Sequence, residues 1–116
     1  MNAEQDAVDS CLAAYREEAT PARTTEATAT KYLLGLLGRK APGRSVEVRI
    51  PPYAAAQIVE GVRHTRGNPP ATVECDARTF IELATGGLTW SEATESGRVR
   101  ASGERSDLSG LLPLLP

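Results

Sequence analysis

Asp76-Ala77-Arg78-Thr79-Phe80-Ile81-Glu82-Leu83-Ala84-Thr85-Gly86-Gly87, with Thr89-Trp90-Ser91-Glu92-Ala93 and Gly97-Arg98-Val99-Arg100-Ala101 behind it, is the stretch that decides the fold. Asp76 can accept from the free N–H groups of a first helical turn. Ala77, Phe80, Ile81 and Ala84 then recur at helical spacing, and Gly86-Gly87 supplies a left-handed exit. Thr89 with Glu92 makes a capping box for a second, shorter helix, with Trp90 and Ala93 facing inward and Gly97 ending it. Arg98-Val99-Arg100-Ala101 alternates charged and apolar residues, as a strand with one wet face does. Ser106 and Asp107 can cap a last short helix whose Leu108, Leu111 and Leu112 share a face, stopped by Pro113.

Upstream, Val46, Val48 and Ile50 alternate with Glu47 and Arg49, predicting a strand that Pro51-Pro52 breaks. Tyr53-Ala54-Ala55-Ala56-Gln57-Ile58-Val59-Glu60 reads as a second strand, with alanines where a sheet usually carries larger residues. The volume these leave is filled either by helix leucines or by a ligand tail. A third strand lies around Thr72-Val73-Glu74-Cys75. Before the strands, Thr25 can cap a helix that buries Ala29, Tyr32, Leu33, Leu36 and Leu37 and ends at Ala41-Pro42-Gly43. Residues 1–23 stand apart as an acidic N-terminal helical extension: five of the fifteen acids lie in the first twenty positions, with Val8, Cys11, Leu12 and Tyr15 at helical spacing. Residues 24–116 form the domain proper. The expected class is α+β, an antiparallel sheet of three to five strands covered by helices, because strands near 46, 54 and 73 follow one another without intervening helices.

The order and spacing of these elements resemble the sterol carrier protein 2 family, specifically its short bacterial, actinobacterial-type branch. The likeness is carried by the Asp76–Leu108 frame together with Lys31-Tyr32-Leu33-Leu34-Gly35-Leu36-Leu37, Ala41-Pro42-Gly43-Arg44-Ser45-Val46-Glu47-Val48-Arg49-Ile50-Pro51-Pro52-Tyr53 and Arg63-His64-Thr65-Arg66-Gly67, from about Glu26 to about Leu115. It implies a sheet and helices enclosing an apolar site for fatty acids, acyl chains or sterol-like ligands, in a carrier or binding module rather than an enzyme. Such domains also occur fused behind bacterial enzymes, so the resemblance allows a second role: a structural or protein-interaction accessory domain with a filled core, self-associating or supporting a partner enzyme. The segment between Ile50 and Asp76 holds only two modest strands, which argues for a shorter ligand, a groove, or none. From the faces of the elements, the apolar site would be lined by Leu33, Leu37, Ile50, Ala56, Ile58, Phe80 and Leu111. The C-terminal leucines Leu108, Leu111, Leu112, Leu114 and Leu115 could close the core, cover a tunnel mouth or pack on a second subunit.

Arg63, His64 and Arg66 concentrate the polar chemistry. They could hold a carboxylate or phosphate head group, since Arg pairs with such anions bidentately, or form a solvated loop. Arg98, Arg100 and Arg105 make a second basic cluster. Cys11 and Cys75 lack metal-ligand spacing and read as buried thiols, with a Cys75–His64 catalytic pair as the sharper alternative. With one histidine, no metal or other cofactor is expected. A net charge of −2 gives no field to draw in nucleic acid or an anionic membrane, and no apolar run reaches the ~20 residues of a membrane helix. The opening residues lack a signal-peptide order, so the expected location is cytoplasmic.

Overall fold

The computed structural model describes residues 2–61 and 71–115. Its elements run α1 (Ala3–Arg16), α2 (Arg23–Lys40), β1 (Val46–Ile50), β2 (Ala54–Ile58), β3 (Ala71–Cys75), α3 (Ala77–Thr85), α4 (Trp90–Glu95) and β4 (Val99–Ser102). Asp76 caps α3 by accepting from the Thr79 N–H at 2.8 Å, and Gly86 ends it with φ +90°. The Thr89–Glu92 capping box of α4 is complete. α1 begins on Asn2, whose side chain accepts from the Glu4 and Gln5 N–H groups.

The fold is α+β, but the sheet is mixed rather than antiparallel, with strand order β2-β1-β3-β4. β1 pairs antiparallel with β2 and parallel with β3, while β3 pairs antiparallel with β4. The reason lies in the register. Ile58 at the end of β2 and Ala71 at the start of β3 both sit opposite Val46. β2 therefore ends and β3 begins at the same end of β1, on its two sides, so β3 runs opposite to β2 and hence parallel to β1.

Two local expectations are also corrected. α2 starts at Arg23 with Ala22 in the cap position and no side-chain cap, so Thr25 lies inside the helix. Its first turn closes through Glu26 N–H to the Ala22 carbonyl at 2.9 Å, and the Glu26 side chain is held from outside by two tyrosines. The last helix reduces to a single turn, Leu111 N–H to the Leu108 carbonyl at 2.9 Å, with Asp107 accepting from the Ser109 N–H. Gly110 and Pro113 leave too short a run to propagate beyond the costly first turn.

The core lies between the sheet and α1–α3. Val46, Val48 and Ile50 of β1 and Val73 of β3 meet Leu33, Leu34 and Leu37 of α2, Phe80, Ile81 and Ala84 of α3, and Val8 and Cys11 of α1 in one cluster. The opposite sheet face is polar, crossed by ion pairs Arg49–Glu47 (2.6 Å) and Arg100–Glu74 (3.1 Å). Gly43, at φ +149°, lies so close to Val59 that a Cβ there would fall 2.2 Å from its carbonyl carbon and oxygen. That approach ties the exit of α2 to the end of β2, where Val59 N–H donates to the Ala41 carbonyl and Ser45 N–H and Oγ donate to the Val59 carbonyl.

Candidate ligand-binding site

The structure brings the residues expected to line an apolar site into one cluster and packs most of them shut. Leu33, Leu37, Ile50 and Ile58 are 0 % exposed and Phe80 is 3 % exposed, so each is core. Ala56 and Leu111 are half-buried at its margin. The alanines of β2 are small because that strand is an edge with α2 lying across it, where larger side chains would hold the helix off. The head-group residues Arg63, His64 and Arg66 fall outside the described residues.

An apolar concavity lies elsewhere, between the end of α3, the start of α4 and the C-terminal segment. It measures about 360 Å³ and is lined by Leu83, Gly86, Leu88, Trp90, Leu112 and Pro113 together with the polar Thr89, Ser91 and Ser109. Each wall follows from the sequence. Gly86 turns the chain sharply at the end of α3, which sets Leu88 and Trp90 across from Leu83. The Thr89 cap fixes where α4 begins, so Trp90 is its first residue.

The C-terminal segment forms the remaining wall, anchored by backbone. Leu114 and Leu115 N–H groups donate to the Ala84 carbonyl, one of the acceptors that the end of α3 leaves without an intrahelical partner, at 2.8 and 3.2 Å. Lys40 Nζ donates to the Leu111 carbonyl at 2.8 Å. A second groove of about 340 Å³ runs between Leu115 and the Val8, Asp9 and Leu12 face of α1. Sequence reasoning placed Trp90 inward and noticed the terminal leucines. It did not join them, because Leu83, Leu88 and Leu112 share no helical face and meet only after the Gly86 turn and the return of the C-terminal segment.

The basic cluster does not form an anion site. Arg98 is spent on Glu82 (2.6 Å) and Thr79 Oγ1 (3.1 Å), Arg100 on Glu74, and Arg105 on the Glu60 carbonyl at 3.2 Å. Sequence reasoning also missed a titratable cluster spanning three elements. Glu26 of α2 accepts from the Tyr15 hydroxyl of α1 at 2.5 Å and from the Tyr53 hydroxyl after β1 at 2.8 Å. Arg78 lies over the Tyr15 ring, 5.2 Å from its centroid, and donates to Glu18 and Glu82. Burial and then the Glu26 carboxylate push the Tyr15 phenol far above its usual range, and Tyr53 shifts the same way. The partners are 11 and 27 residues apart, with no local pattern linking them.

Cys11 and Cys75 are both buried free thiols. Burial first, then Asp76 and Glu74 against the opposing pull of Arg98, pushes Cys75 up to about 12, which leaves almost no thiolate at neutral pH. His64, its suggested partner, lies outside the described residues. Among the described residues, no group of three or more His, Cys, Asp or Glu side chains is placed to hold a metal ion, and no helix is long and apolar enough to cross a membrane.

A four-stranded mixed sheet with α1–α3 packed on one face defines a small α+β domain. The family model described as "Bacterial SCP ortholog" matches residues 22–114, and the chain belongs to that sterol-carrier-protein-like bacterial family. The match begins at the residue before α2, so α1 lies outside it. No curated protein matches the chain.

Proposed function

We propose that this chain is a non-catalytic lipid-binding module that holds an acyl chain in the groove between α3, α4 and the C-terminal segment. The observation carrying this reading is the groove itself: about 360 Å³, within the range of small-molecule sites, walled by Leu83, Leu88, Trp90, Leu112 and Pro113. Membership of a sterol-carrier-like family supports it, because such families are in general non-catalytic lipid carriers. The volume suits a single alkyl chain better than a fused-ring sterol. Native mass spectrometry of protein purified without detergent, followed by extraction and identification of bound mass, tests the reading. A stoichiometric lipid, or uptake of a fluorescent fatty acyl probe, supports it, and an empty protein that takes up no probe counts against it.

The second reading, an accessory domain that binds a protein partner, is favoured by one observation. The interior residues Leu33, Leu37, Ile50 and Ile58 have no exposed surface and are already packed against one another. An empty mass together with a stable dimer or a co-purifying enzyme would move the weight there.

A further inference from the structure

α1 is fastened to the domain by a clasp at its C-terminal end. The helix stops in a Schellman turn, with Ala19 N–H donating to the Ala14 carbonyl at 2.9 Å and Glu18 N–H to the Tyr15 carbonyl at 3.0 Å. The left-handed position of such a turn usually holds glycine, yet here it is Glu18, at φ +54°. Its side chain supplies a reason. Arg78 of α3 donates to both Glu18 carboxylate oxygens, at 3.3 and 3.4 Å, reaches the Tyr15 carbonyl at 3.5 Å and lies over the Tyr15 ring. Tyr15 in turn donates to Glu26 of α2. A backbone conformation that glycine would adopt freely is thus kept by a residue whose side chain ties the helix end to α3. The rest of α1 is held by apolar contact, with Val8 and Cys11 0 % exposed. Among the described elements its main packing partners are α2 and α3, and its Val8, Asp9 and Leu12 border the groove of about 340 Å³ facing Thr85 and Leu115. The family match begins at Ala22, so the unit shared with that family does not include α1.

From these observations we infer that α1 is a lid: it swings off the α2 and α3 faces as a unit, about the turn between Arg16 and Arg23, while the sheet and α2–α4 stay folded, and the Arg78–Glu18–Tyr15 clasp sets how often it opens. This opening is independent of the lipid-binding reading. The Arg78–Glu18 pair is open to solvent, with the Glu18 side chain 80 % exposed, and exposed pairs of this kind are individually weak. The stacked guanidinium adds a contribution of similar size. A clasp built from such ties releases without the core giving way. Each opening presents apolar surface on α2 and α3 that the closed domain hides.

Cys11 is a built-in reporter, because a free thiol buried under α1 reacts with a thiol reagent only when the helix lifts. The test exposes the full chain to iodoacetamide over a series of low urea concentrations. Label at Cys11 is read by mass spectrometry after digestion, and global unfolding is followed by circular dichroism. Cys11 is expected to react at least about tenfold faster than whole-chain unfolding allows, with a much shallower urea dependence, since lifting one helix exposes a fraction of the buried surface. Arg78→Gln and Glu18→Gln should each speed that labelling several-fold, and the second changes only an exposed side chain, so its fold is safe. Val99→Ala, in β4, should lower global stability yet leave Cys11 labelling unchanged, because a lifted lid keeps the contacts of β4. Labelling that carries the urea dependence of global unfolding and rises with Val99→Ala overturns the inference. So does labelling indifferent to both clasp variants.

Discussion

The interior and the groove are built from the same residue types and differ in how completely they are closed. Between the sheet and α1–α3, long elements face one another, and Leu33, Leu37, Ile50 and Ile58 lose all contact with solvent. Around the groove, short elements meet at turns, and Leu88, Trp90 and Leu112 stay half-buried. Apolar surface left open is therefore a matter of element length. Five-residue strands under an 18-residue helix can be covered, whereas a six-residue helix flanked by Gly86-Gly87 and a Pro113-broken tail cannot cover its own leucines.

Substitutions that shorten a side chain in each region should separate the two most strongly. Leu33→Ala should cost about 3 kcal/mol of stability by denaturant unfolding, because the emptied volume lies in a filled core. A loss below about 1 kcal/mol would mean that the interior is already loose and open to a ligand. The Tyr15–Glu26 bond seals the edge of that interior, and Tyr15→Phe should cost about 1.5 kcal/mol or more, since a hydrogen bond to a carboxylate is lost. Its pH dependence has a definite sign. The folded state raises the Tyr15 phenol above its ordinary value of 10.0, so its stabilisation is complete below that pH and lost as pH rises above it. Melting temperatures should fall more steeply above pH 10 in the native chain than in Tyr15→Phe, and parallel curves would refute the coupling.

A smaller effect of opposite sign is expected at Thr30, whose hydroxyl is buried without a partner among the described residues. Thr30→Val should stabilise by about 1 kcal/mol, and destabilisation would reveal a buried polar partner for that hydroxyl inside the helical layer. The least effect on stability belongs to the groove: Leu88→Ala should cost less than about 1 kcal/mol yet weaken amphiphile binding several-fold, as read from Trp90. A variant that loses stability and binding together would erase the distinction between the two regions.

Much of the fold was legible because its signals are local. Asp76, Gly86 and the Thr89–Glu92 box act within four residues, and the alternation of Val46, Val48 and Ile50 needs no partner to be read. The parallel pairing of β1 with β3 was not legible. It depends on which side of β1 the chain reaches after β2, and the intervening residues carry no helical pattern to announce a hop. The start of α2 was misplaced for a related reason, since its first turn is fastened by Tyr15 and Tyr53 rather than by a cap in its own sequence. The site was less legible still. Leu83 and Leu112 are 29 positions apart, and their meeting depends on the Ala84 carbonyl accepting from Leu114 and Leu115.

What the sequence determined by itself is the set of elements, their apolar faces and the family to which they belong, because caps, breakers and periodicity act over one or two turns of chain. Only the tertiary structure decided which apolar residues are closed and which remain open. Closure depends on the lengths and crossings of elements distant in the chain. Leu33 and Leu88, indistinguishable as residues, therefore end as core and groove wall.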